Sequence, residues 1–164
     1  MRALRWIGSQ LVTADAIYGL ILFSALVAVI STDHSDSWEV FWVSGLSLVV
    51  FFVAHVYAGT IANHGVIDGH EVTLGQAFRL ALGNSSGMLF ASVLPAIPLL
   101  LGIAHLLSYG SSVDDSLYVV LVILGVLGYL SFAQRKSKMV VRVFGALGTA
   151  LFGLAIIILN SAVH

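Results

Sequence analysis

The sequence contains no cysteine and only two prolines, and charged residues make up just 9% of its 164 positions. Without cysteine there is no disulfide, no thiolate metal site and no cysteine nucleophile. Seven Lys and Arg stand against eight Asp and Glu, a formal net charge of -1. That balance lacks the basic stripe a nucleic-acid partner requires, and none is expected. No nucleotide-binding loop, zinc-protease helix or nucleophile elbow occurs, and the chain is not expected to be an enzyme. Any chemistry falls to His, Asp, Glu, Asn, Tyr and Met.

What the chain has in excess is apolar surface, at 59% of residues. A soluble domain is about 45–50% apolar and about 25% charged, and a small domain has too little interior to hide more. Lipid is the solvent that accommodates the surplus, so the expected fold class is an all-α integral membrane protein in the lipid bilayer. A helix needs about 20 mostly apolar residues to cross. Five segments qualify, 11–31, 38–61, 88–107, 116–132 and 140–159, in a single transmembrane domain spanning residues 1–164. The first run exceeds the usual secretory h-region of about 7–15 residues, and no A-x-A site follows it. It reads as a retained helix, with cleavage as the alternative.

Basic residues accumulate in cytoplasmic loops. With the N-terminus inside, Arg2, Arg5, Arg79, Arg135, Lys136, Lys138 and Arg142 all fall on the cytoplasmic side. The outer loops then hold Asp33, Asp36, Glu39, Asp114 and Asp115. A five-helix bundle, N-in and C-out, in the cell membrane is the resulting expectation. Between the second and third spans, Thr73 followed by Gln76 forms a capping-box pattern that marks a helix start. Leu74, Ala77, Phe78 and Ala81 then share one face, which predicts a short amphipathic helix over 73–82 lying on the inner membrane surface. Gly83-Asn-Ser-Ser-Gly87 is expected to end it and turn the chain into the third span.

Ionisable side chains within a membrane are costly and usually face the bundle interior. Asp15 lies about one turn into the first helix and His55 nearly two turns into the second from the same side. Adjacent antiparallel helices would bring them together, with Tyr18 one turn beyond Asp15. Imidazole titrates near neutral pH and also suits metals, so such a pair could relay protons or bind a cation. The competing reading has Asp15 snorkelling to the headgroups and His55 bonded to a backbone carbonyl. His105, Tyr109, Ser111 and Asn160 lie near the outer ends of their helices, either as a vestibule or as ordinary interfacial residues. His64, Asp68, His70 and Glu71 fall within one cytoplasmic connection and form a weak candidate site for a divalent metal ion, the only cofactor suggested. The alternative is a solvated loop. Pro95 and Pro98 predict a bent third span, serving as a hinge or as a static kink. Gly145, Thr149 and Gly153 form a small-residue stripe, suited to an internal helix contact or to a homodimer.

From position 89 onward the pattern resembles the membrane part of the vacuolar iron transporter-like (VIT) family. The residues that carry it are Leu94-Pro-Ala-Ile-Pro98, an acidic outer loop, a fourth apolar helix, the basic hairpin Gln134-Arg-Lys-Ser-Lys138, and a last helix rich in Gly145, Ala146, Gly148 and Ala150. Asp15-Ala-Ile-Tyr-Gly19 is similar to the opening of that family's first helix. The chain has Leu20-Ile-Leu-Phe23 where the family carries an acidic metal-path residue, and Phe51-Phe-Val-Ala-His55 where it has methionine and acidic residues. It also lacks the long cytoplasmic metal-binding domain. The resemblance implies the five-helix fold and a dimer, and no metal residue is carried over from it. The leading expectation is a small transporter or channel for a cation, either a divalent metal or a proton. The alternative is a non-transporting membrane scaffold or accessory subunit.

Overall fold

The computed structural model describes residues 13–31, 36–67, 70–135 and 137–163, with the backbone alone at 66, 67, 70 and 163. Five helices and a small hairpin follow one another as α1 (Ala14–Ile30), α2 (Ser37–Asn63), β1 (Gly65–Ile67), β2 (His70–Val72), α3 (Leu74–Ile103), α4 (Tyr109–Gln134) and α5 (Met139–Val163). The first four helices start where a short polar side chain can accept a free backbone N–H. Thr13 accepts from Ala16 at 3.1 Å and Asp36 from Glu39 at 2.7 Å, while Thr73 accepts from Gln76 at 3.4 Å and Ser108 from Ser111 at 3.3 Å. At Thr73 the expected capping box is complete, because the Gln76 side chain accepts the Thr73 backbone N–H at 3.0 Å.

Four helices, α2 to α5, are long and apolar enough to cross a membrane. α1 is a shorter apolar helix of 17 described residues, about 26 Å at 1.5 Å per residue. Expected positions 11 and 12 of the first span lie outside the described residues.

α1 is apolar on every side, the composition of a helix with no face to show to water. The structure puts it at the centre of the bundle, in contact with all four other helices. Ala16, Leu20, Phe23 and Val27 interleave with Met88 and Ala91 of α3 and with Leu117, Val120 and Leu124 of α4. Polar groups at depth are serines and Thr60, whose hydroxyls are satisfied. Ser37 and Ser112 share a hydrogen bond of 2.9 Å, and Ser116 donates to the Pro95 carbonyl at 2.7 Å. Among the described residues no buried side-chain oxygen or nitrogen lacks a partner.

The expected 73–82 surface helix and the span from 88 are one continuous helix, α3, of 30 residues. Tertiary contact overrides the break that Gly83-Asn-Ser-Ser-Gly87 suggests. Ala77 and Ala81 are buried, and Ala81 packs beside Gly59 of α2, where an added Cβ would stand 3.1 Å from its own. Ser86 returns its hydroxyl to the Gly83 carbonyl at 2.8 Å, so this polar run satisfies itself along the helix axis. Leu74 and Phe78, expected on the same membrane-facing side, stay exposed.

α3 ends at Ile103, not 107, and α4 begins at Tyr109, well before 116. Asp114 and Asp115 therefore stand in the first two turns of a helix and not in a loop. The end of α3 is a Schellman-type stop. The His105 N–H donates to the Gly102 carbonyl at 3.0 Å and the Leu106 N–H to that of Leu101 at 2.9 Å, with His105 at φ 57°.

Candidate functional site

Near the start of α1 and toward the end of α2 the antiparallel helices bring three of the singled-out residues together. His55 Nε2 lies 3.3 Å from Asp15 Oδ1, an ion pair whenever the imidazole carries its second proton. The Tyr18 ring stacks on His55 with centroids 6.1 Å apart and planes 27° from parallel. Asp15 is in the first turn of α1, where the helix dipole favours a carboxylate. Exposure of the two side chains is 44% for His55 and 24% for Asp15, so the pair sits at the flank of the bundle. His55 meets the Asp15 carboxylate, where the alternative placed it on a backbone carbonyl. One carboxylate and one imidazole can share or exchange a proton. A first-row divalent ion is generally held by about four or more ligands. Among the described residues no three His, Asp or Glu side chains gather as a metal site.

The connection proposed for metal binding folds as the β1–β2 hairpin, antiparallel, with Gly65 opposite Val72, Val66 opposite Glu71 and Ile67 opposite His70. Gly65 adopts φ 109°, a conformation that needs glycine. Asp68 lies outside the described residues, as does the side chain of His70. His64 and Glu71 line a small cleft of about 400 Å³ between the hairpin and the start of α3, together with Val72, Thr73 and Leu74. It adjoins a larger apolar groove of about 630 Å³ between α2 and α3, which also borders His64 and Leu74. Sequence periodicity missed this groove, because it treated Leu74 and Phe78 as one face of a separate surface helix.

At the opposite end, His105 and Tyr109 line a cleft of about 580 Å³ with Asp36 and Trp38. Ser111 belongs to the first turn of α4, where Ser108 donates to it at 2.8 Å. Asn160 is placed elsewhere, its Oδ1 accepting the Ser31 hydroxyl at 3.2 Å and joining α5 to the end of α1. Pro95 and Pro98 are buried within α3, and Pro98 borders a shallow apolar cleft of about 450 Å³ with Asp115 and Tyr118.

The stripe of Gly145, Thr149 and Gly153 faces α4. Thr149 donates to the Leu124 carbonyl at 2.8 Å, and a Cβ on Gly128 would come within 2.5 Å of the Gly145 carbonyl oxygen. Of the two uses open to this stripe, the structure shows the internal contact. Asp15, His55 and Tyr18 line none of the four clefts above.

Compared with protein-family models, curated proteins and solved structures, the chain has no match.

Proposed function

We propose that the chain is a five-span protein of the cell membrane, N-terminus inside and C-terminus outside, that handles protons through Asp15 and His55. The observation that carries this reading is the 3.3 Å approach of a carboxylate and an imidazole from two helices. A proton needs no more ligands than these two, whereas a divalent metal would need others; the proton is therefore the favoured cation. Tyr18 stacks beside the imidazole, its ring centroid 6.1 Å away. Five spans are supported by the central place of α1. Its start is tied to α2 through Asp15, and Ser31 at its end is tied to α5 through Asn160. The orientation is supported by charge. Arg79, Arg135, Lys138 and Arg142 cluster about the α2–α3 and α4–α5 connections, and Asp36, Glu39, Asp114 and Asp115 about the other end.

The second reading, a membrane scaffold or accessory subunit, is favoured by a different observation. The interior is filled by side chains, while α5 and much of α2 present large apolar residues outward, including Phe51, Tyr57, Phe144 and Phe152. Lipid, a second copy of the chain, as the VIT-family resemblance implies, or another membrane protein would cover them.

Proton flux into proteoliposomes carrying a trapped pH dye, under an imposed potential, separates the two. Flux above that of empty vesicles, abolished in Asp15→Asn and His55→Gln, supports the proton reading. Flux unchanged in the double variant removes it, and no flux in the wild type leaves the accessory role. Because the chain has no cysteine, single Ser111→Cys and Ser137→Cys variants test the orientation. An impermeant maleimide should label the first from outside intact cells and the second only after lysis.

A further inference from the structure

The apolar groove between α2 and α3 adjoins the cleft beneath the hairpin, which holds the Glu71 carboxylate, and His64 and Leu74 border both. Along α2 the groove runs from Phe52 to His64, about 18 Å at 1.5 Å per residue. Leu74, Phe78 and Leu82 form its other wall at i, i+4 and i+8, a single stripe of α3. It is thus a long apolar groove with the His64 imidazole at one end and, in the adjoining cleft, the Glu71 carboxylate. The 27 residues of α2 span about 40 Å, against a hydrocarbon core of about 30 Å. That leaves about 10 Å of α2 for the headgroup regions; with the excess at its C-terminal end, the last turns of α2 and the hairpin reach headgroup depth and the groove runs from there into the acyl region.

We propose that the groove and the cleft together hold one phospholipid whose headgroup carries a primary ammonium. The acyl chain lies along Phe52, Val56 and Phe78, where apolar contact is the only interaction offered. The headgroup enters the cleft, where the ammonium donates N–H hydrogen bonds to the Glu71 carboxylate and the phosphate accepts one from the His64 imidazole. The chemistry of the cleft sets the preference. A headgroup with net negative charge brings a second anion toward Glu71. A quaternary ammonium has no N–H to donate. The Thr73 hydroxyl, also in the cleft, is engaged in the capping box of α3 and adds no selectivity. This site shares no residue with the Asp15–His55 pair, so the proposal stands or falls separately from the proton reading.

Native mass spectrometry of the delipidated, detergent-purified protein provides the test, with phosphatidylethanolamine, phosphatidylcholine and phosphatidylglycerol of identical acyl chains added one at a time. The expected result is one saturable phosphatidylethanolamine adduct, bound about tenfold more tightly than the other two lipids, the factor one charge-assisted contact of about 1.4 kcal/mol supplies. Glu71→Gln should bring it to the phosphatidylcholine level. Leu74→Trp, an exposed position shared by groove and cleft, should weaken all three lipids while leaving thermal unfolding in detergent unchanged. Statistical adducts equal for the three lipids, phosphatidylglycerol binding tighter than phosphatidylethanolamine, or a preference indifferent to Glu71→Gln would each overturn the proposal.

Discussion

Gly19 and Met88 meet backbone to backbone inside the bundle: a Cβ on Gly19 would stand 2.7 Å from both the Cα and the carbonyl oxygen of Met88. This contact lets the central helix sit flush against α3. In lipid, where apolar surface gains nothing by leaving the solvent, such van der Waals contact is a principal source of helix association.

Replacing Gly19 by alanine therefore pits two effects against each other. Alanine in a helix interior is favoured over glycine by about 0.5–1 kcal/mol. Forcing a methyl into a backbone contact costs about 1–3 kcal/mol. We expect the second to win, with Gly19→Ala lowering the midpoint of denaturant unfolding in mixed micelles. A rise in the midpoint would mean that α1 and α3 are further apart than described.

Gly83 is the contrasting position, because an added Cβ meets nothing within 4 Å. In the continuous helix Gly83→Ala should stabilise by about 0.5–1 kcal/mol, read by the same unfolding experiment. A helix that ended at Gly83, with the glycine needed for the turn, would instead be destabilised. The sign of this one substitution decides whether α3 is continuous.

Thr149 joins α5 to α4 through its hydroxyl at 2.8 Å from the Leu124 carbonyl oxygen. Thr149→Val keeps the shape and deletes the donor. Interhelical hydrogen bonds in membranes average about 0.6 kcal/mol and reach about 1.7, and the loss should lie in that range. Thr149→Ser should restore most of it. No loss in Thr149→Val beside a loss in Thr149→Ser would instead assign the contribution to the methyl group.

His105 occupies the left-handed position after α3, at φ 57°. Left-handed backbone costs a non-glycine residue about 1–2 kcal/mol, and helix stops of this type favour glycine. His105→Gly should raise stability by about 1 kcal/mol in thermal unfolding. A fall would show that the imidazole makes a contact worth more than the strain.

Much of the fold was legible in particular residues. Thr73 and Gln76 mark the start of α3 by chemistry local to four positions, and the structure realises it. Asp15 and His55 could be placed at one depth because helix rise and chain direction are arithmetic. Their 3.3 Å separation could not, since it depends on the rotation of α1 and α2 about their axes. Ser108 misled in the other direction. Read as part of an outer loop, Ser108-Tyr-Gly-Ser-Ser112 opens α4, because Ser108 is an N-cap and polar residues are no obstacle to a helix whose first turns rise above the apolar core. The hairpin was overlooked although Asp68-Gly69 is a dipeptide favoured between paired strands.

By itself the sequence determined the solvent, the number of apolar helices and about half of their boundaries, because composition and run length respond to water and lipid residue by residue. It also determined which end of the chain's helices is basic and which acidic. Only the tertiary structure decided that α1 is the central helix, that the Gly145–Thr149–Gly153 stripe faces α4, and that α3 runs unbroken through Gly83. An apolar helix has no polar face to announce its neighbours, so its partners are chosen by the fit of small side chains, a property of pairs of surfaces and not of either strand of sequence.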